Sequence, residues 1–114
     1  MIKMEKLSKA WYGTFIEDIH NITKKLPEKN FFDMKKDIQR LSILISRNLI
    51  SENDTFINKI PEFITQLDFF MSICENFSYI SKEDNEKINL KIKEINEEYY
   101  SIKKKKKEEK LNHF

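Results

Sequence analysis

At 114 residues the chain has room for one domain with a modest core. Charged residues make up 35% and hydrophobic ones 39%, with one Gly and two Pro, too few turn formers for a sheet protein, so the composition points to an all-α fold. The net charge of +2 excludes a uniformly basic protein, but residues 1–26 and 27–50 each carry five cations against three acids, 51–80 one against five, 81–102 four against six, and 103–114 six against two.

The first predicted helix covers about residues 5–25, with Trp11, Phe15, Ile19, Ile22 and Leu26 on one stripe. Gly13 interrupts it at a cost of about 1 kcal/mol against Ala. Lys24 and Lys25 sit in the last turn, where cations suit the helix dipole, and Pro27 ends the helix. The second helix covers about residues 30–50, with Met34, Ile38, Leu41, Ile45 and Leu49 as its inward stripe. Roughly opposite lie Phe32, Lys36, Arg40, Ile43, Arg47 and Ile50. An ordinary surface helix has one apolar stripe and a polar back, so this second face suits a protein neighbour, a nucleic-acid backbone, or both.

The break at residues 51–54 offers Asn53 or Asp54 as an N-cap. The third helix then runs to about Phe77, with Phe56, Ile60, Phe63, Ile64, Leu67, Met71, Cys74 and Phe77 inward. Pro61 either kinks this helix or marks its true start near Lys59; Phe56 fits the same stripe, which favours the kink. Ser81 caps the fourth helix, with Asp84 three residues on. Ile88, Ile92, Ile95, Tyr99 and Ile102 follow as a heptad seam whose next position is Lys106. The core should therefore end near Ile102. The expected organisation is an antiparallel up-down-up-down four-helix bundle over residues 1–102, followed by a Lys-rich extension, a frayed helix or disordered, over residues 103–114.

The residues from Thr23 to Ser81 resemble the four-helix-bundle family encoded in intervening sequences of bacterial 23S ribosomal RNA genes, to which the accessory variability determinant proteins of diversity-generating retroelements are related. Trp11 matches a Trp of the family's first helix. Thr23, Lys24, Lys25, Leu26 and Pro27 match a Thr-basic-basic-apolar-Pro pattern. Phe32, Asp33 and Met34, then Ile38, Gln39 and Arg40, then Ile45 and Asn48 follow in order. Ser78, Tyr79, Ile80 and Ser81 stand where the family closes its third helix with Gly-Tyr-Ile-Ser. The chain departs from the pattern at Asp37, at Ser51 and Glu52, and around Pro61 to Phe63. The resemblance implies a four-helix bundle and a homopentameric ring. Its retroelement branch implies binding to RNA or DNA and to a partner reverse transcriptase.

The candidate contacts follow. Phe32, Ile43 and Ile50 form an apolar patch of the kind that marks a subunit interface. Lys24, Lys25, Lys36, Arg40 and Arg47 could meet phosphates, as could Lys103, Lys104 and Lys105 of the tail; such contacts need only cations and carry no sequence information. Against this, like-charge runs are commonly solvated and frayed, and Glu108 and Glu109 dilute the tail. Tyr79 and Tyr100 could stack bases, whereas Trp11 and Tyr99 sit on core stripes.

No catalytic or metal site is expected. His20 and His113 lie far apart, Cys74 fills a core position, and Glu83 with Asp84, like Glu97 with Glu98, diverge on a helix. The Glu-x-x-His pairs of di-iron bundles and a Gly-rich phosphate loop are both missing. No cofactor is predicted. No stretch approaches the roughly 18 apolar residues of a membrane span, and residues 1–11 hold no apolar run of a signal peptide. With the lone Cys74, this predicts a cytoplasmic protein. The sequence thus leads to a non-catalytic accessory protein that binds nucleic acid as a homo-oligomer, or else to a structural or protein-interaction bundle with no nucleic-acid role.

Overall fold

The computed structural model describes residues 7–52 and 54–111, with only the backbone described at residues 28–32 and 54. Among these residues the regular secondary structure is entirely helical. In chain order they form α1 (Lys9–Thr23), α2 (Glu28–Ser51), α3 (Asp54–Ile57), α4 (Ile60–Asn76) and α5 (Lys82–Leu111). None of these helices is long and apolar enough to cross a membrane.

Local chemistry sets the helix ends. Ser8 caps α1, its hydroxyl accepting from the Trp11 amide at 3.0 Å. Pro27 holds extended backbone before α2. Glu52 ends α2 in the left-handed region, with φ 51°. Pro61 lies in the first turn of α4, where its missing N–H leaves no bond unmade. The expected kink is therefore replaced by a break at Asn58 and Lys59 between the four-residue α3 and a separate α4. The break also takes Phe56 out of the stripe that it fits on paper: Phe56 is exposed and Ile57 is buried instead.

The end of α4 is closed by a left-handed residue. The Ser78 and Tyr79 amides, each at 2.9 Å, donate to the carbonyls of Glu75 and Cys74, and Ser78 takes φ 60°. This is the left-handed closure that glycine adopts most readily. Phe77, predicted inward, sits at this helix end and is 63% exposed. Ser81 then caps α5, accepting from the Asp84 amide at 3.0 Å.

One core joins the long helices. It contains Tyr12, Phe15, Ile19 and Ile22 of α1; Ile38, Leu41, Ile45 and Leu49 of α2; Ile60, Ile64, Leu67, Met71 and Cys74 of α4; and Ile88, Ile92, Ile95, Tyr99 and Ile102 of α5. Leu26, Ile57 and Ile80 close it from the connections and α3. On α1, Tyr12 takes the central place predicted for Trp11. The indole lies at the rim, half-buried, stacked on Phe15 at 5.9 Å with the Lys91 ammonium 5.4 Å from its ring.

Helix α1 packs on α2 and α5, α2 on α4, and α4 on α5. Contacts along α1 and α5 run in reverse order: the Leu7 amide donates to Glu98, Asp18 pairs with Lys91 and Lys87, and Lys25 pairs with Asp84. These two helices are thus antiparallel. Thr23 and Gln39, both in the sequence motifs, bridge α1 to α2, with Gln39 Nε2 donating to Thr23 Oγ1 at 2.8 Å. Their role in the structure is packing.

Candidate nucleic-acid interface

The cations singled out from the sequence do not gather in one place. Lys24 is exposed at the end of α1, and Lys25 is held by Asp84 at 2.8 Å. Lys36, Arg40 and Arg47 are exposed on the outer face of α2, with Arg40 donating to Asp37 at 3.3 Å on its own helix. Lys103, Lys104 and Lys105 lie near the C-terminal end of α5. A helix of the length of α2 spans about 36 Å at 1.5 Å per residue, so the lysines at the close of α1 and those at the close of α5 mark opposite ends.

The apolar patch is also divided. Ile43 is 48% exposed on the outer face of α2 between Arg40 and Arg47. Ile50, expected beside it, is half-buried and packs against the core. At about 100° per residue it falls only about 20° from Ile43, so what separates the two is not the helix face but the place of Ile50 in the last turn of α2. The side chain of Phe32 lies outside the described residues.

A concave site forms where α5 outruns the core. Ile102 is the last buried apolar residue, yet the helix continues to Leu111. Past Ile102 the core-facing side of α5 changes from isoleucine to lysine while α3 and the turn after it stay alongside. The resulting groove of about 600 Å³ is lined by Ile57 and Asn58 on one side and by Tyr100, Lys103, Lys104, Lys106, Lys107 and Lys110 on the other. Its volume is in the range of small-molecule pockets, but five ammonium groups around one concavity favour an anion.

Two of those lysines also anchor the helix. Lys103 donates to Asn58 Oδ1, a neutral acceptor that fixes the ammonium without cancelling its charge. Lys106 donates to the Glu52 carbonyl at 3.0 Å. The tail is thereby tied to the end of α2 and to the turn after α3. Lys104, Lys107 and Lys110 are exposed.

Of the tail residues chosen from the sequence, Lys103 and Lys104 line the groove and Lys105 does not. Lys106, Lys107 and Lys110 complete it. The signal for them was the helical period: read at about 100° per residue, positions 103, 106, 107 and 110 fall on one side, while 105, 108 and 109 fall elsewhere. Glu108 and Glu109, which dilute the run on paper, are therefore not in the groove. Tyr100 stands in its wall, 68% exposed, with its ring inclined at 65° to that of buried Tyr99 at 5.3 Å. Tyr79 lies at the far end of α5, half-buried and stacked with Phe77 at 6.0 Å.

The other ionisable groups hold the helices together. Burial raises the Asp18 carboxyl, but the Lys91 ammonium at 2.8 Å and Lys87 at 3.4 Å outweigh it and hold the group below its usual range. Burial pushes the Tyr12 phenol up, and the carboxylates of Glu98 and Glu52 add to this. Burial likewise keeps the Cys74 thiol protonated by raising it. Among the described residues no three His, Cys, Asp or Glu side chains gather as they would to hold a metal ion.

Fold and site together define an all-helical protein with a lysine-lined groove at one end. No family model, no curated protein and no solved structure matches the chain.

Proposed function

We propose that this chain is a non-catalytic nucleic-acid-binding protein, an antiparallel up-down-up-down four-helix bundle that grips the phosphates of RNA or DNA with little sequence preference. The observation that carries this reading is the groove at the end of α5, where Lys103, Lys104, Lys106, Lys107 and Lys110 surround one concavity. Lysines at helical spacing match a polyanion. Phosphate contacts of this kind position a strand without reading its bases.

The proposal includes self-assembly. Ile43, 48% exposed between Arg40 and Arg47, supports a subunit contact on the outer face of α2. The pentameric ring, and service to a nucleic-acid enzyme such as a reverse transcriptase, follow from the resemblance of the motifs alone. A ring would present several grooves at once, and linked weak sites bind far more tightly than one. A cytoplasmic setting fits the single, unpaired Cys74. One observation favours a second reading, a protein-interaction bundle: Phe69, Phe77 and Leu90 are each more than 60% exposed, as a docking surface would require.

Light scattering of the purified chain at low salt, with and without a structured RNA of roughly 100 nucleotides, separates the readings; that length lets several phosphate-contacting subunits engage together. The expected result is an oligomer whose mass rises with RNA and falls back when salt is added. A mass indifferent to RNA would refute nucleic-acid binding and leave the protein-interaction reading.

A further inference from the structure

The lysine groove contains one residue that phosphate binding does not call for. Tyr100 stands in its wall with two thirds of its surface exposed, in line with Lys104 and Lys107 one and two turns along α5. An exposed aromatic ring is unfavourable to keep in water, and the lysines would hold a polyanion without it. The contact with Tyr99 orients the ring and leaves most of it uncovered. Ile57, buried in the core, backs the opposite wall. An aromatic platform beside a row of cations is the combination that binds unpaired nucleotides: the strand's phosphates follow the cations while a base lies on the ring.

We infer that the groove selects single-stranded nucleic acid over duplex, with Tyr100 stacking one unpaired base and Lys104 and Lys107 holding the phosphates that flank it. This rests on the nucleic-acid reading above and narrows it to a substrate class. A duplex keeps its bases stacked on each other and offers the groove only its phosphate rim, so it gains from the lysines and gains nothing from the ring. No hydrogen-bonding group in the groove need read the base, so the preference is for strandedness and not for sequence. An anionic lipid surface would also meet the lysines, but it has no planar face to occupy Tyr100.

The test is fluorescence anisotropy of the full chain at low salt, with a labelled oligouridylate and a labelled RNA duplex of the same length, both short. The variants are Y100A, Y100F and the double variant K104A/K107A; circular dichroism reports that each is folded. The wild type should bind the single strand more tightly. Y100A should weaken single-strand binding about tenfold, within the range for loss of one stacked base, and leave duplex binding unchanged. Y100F, which keeps the ring, should bind like the wild type. Equal loss on both probes in Y100A, or no loss on either, would overturn the inference and leave the phosphate reading standing. Single-strand loss in Y100F as large as in Y100A would also overturn it, because the hydroxyl and not the ring would then be the contact. Unchanged binding of both probes in K104A/K107A would overturn the nucleic-acid reading itself.

Discussion

Salt dependence gives the sharpest quantitative test of the groove. Four of its lysines, Lys103, Lys104, Lys107 and Lys110, carry charges that are exposed or bonded only to the neutral amide of Asn58. Each phosphate neutralised on a single strand contributes about −0.7 to the slope of log affinity against log salt. Four contacts give a slope of roughly −2.8, so raising salt from about 50 to 200 mM should weaken binding about 50-fold. Removing two contacts in K104A/K107A should halve the slope to roughly −1.4, and the same change in salt should then cost only about sevenfold. The assay is a series of anisotropy titrations at several salt concentrations, with slopes compared between wild type and variant. K105A is the internal control, because Lys105 is exposed on the same helix but does not line the groove. A K105A slope reduced as much as that of a groove lysine would mean that the tail acts as a diffuse cation cloud. A slope near zero in the wild type would remove phosphate binding altogether.

Three further predictions concern the frame that holds the groove. A methyl group added at Gly13 would meet nothing within 4 Å, so Gly13→Ala should stabilise α1 by about 1 kcal/mol and raise Tm by roughly 4 °C; a lowered Tm in thermal denaturation would contradict this. Ser78 holds φ 60°, so Ser78→Gly should relieve strain and stabilise the chain by about 1 kcal/mol in urea titrations, whereas destabilisation would mean that the Ser78 side chain matters more than its backbone. Asp18 has a folded-state pKa below its ordinary 3.8, so its contribution to stability is present above that value and is lost as pH falls through the lowered one. Asp18→Asn should therefore be less stable than wild type at pH 7, and the difference should shrink as pH falls below about 4; a gap that stays constant on acidification would show that the carboxylate charge is not the cause.

The core was legible because each long helix repeats its apolar residues at helical spacing, and four of the five stripe residues predicted on α2 are fully buried while Met34 packs at the edge. Errors fell where a single residue decides a boundary. Pro61 is compatible both with a kink and with a first turn, and only the neighbouring packing, with Ile57 and Ile60 buried and Phe56 not, selects the first turn. Trp11 and Tyr12 are adjacent and both aromatic, so the stripe alone could not tell which goes inside. The groove was half legible. The lysine run and Tyr100 stand out in the sequence, but their grouping depends on how far α5 outlasts the core and on α3 lying alongside. A local pattern contains neither fact. Lys25 shows the converse case: it reads as an available cation until the fold brings Asp84, distant in sequence, to 2.8 Å.

One heptad register accounts for both the core and the site. The seam of α5 runs Ile88, Ile92, Ile95, Tyr99 and Ile102, and its next step is Lys106. An apolar residue at 106 would draw the helix end onto α3 and close the space between them. Lysine cannot be buried there without a partner, so it reaches the Glu52 carbonyl at the rim and leaves the interval open. Lys103 does the same with Asn58. These two bonds tie the extension to the turn after α3 and to the end of α2, with Lys104, Lys107 and Tyr100 spaced along the same helix. Cations held on a rigid scaffold lose less conformational entropy on meeting a strand than cations on a disordered one. On this argument the bonds from Lys103 and Lys106 matter to binding through order as well as charge, which is why a lysine run with acids inside it can still form a defined anion site.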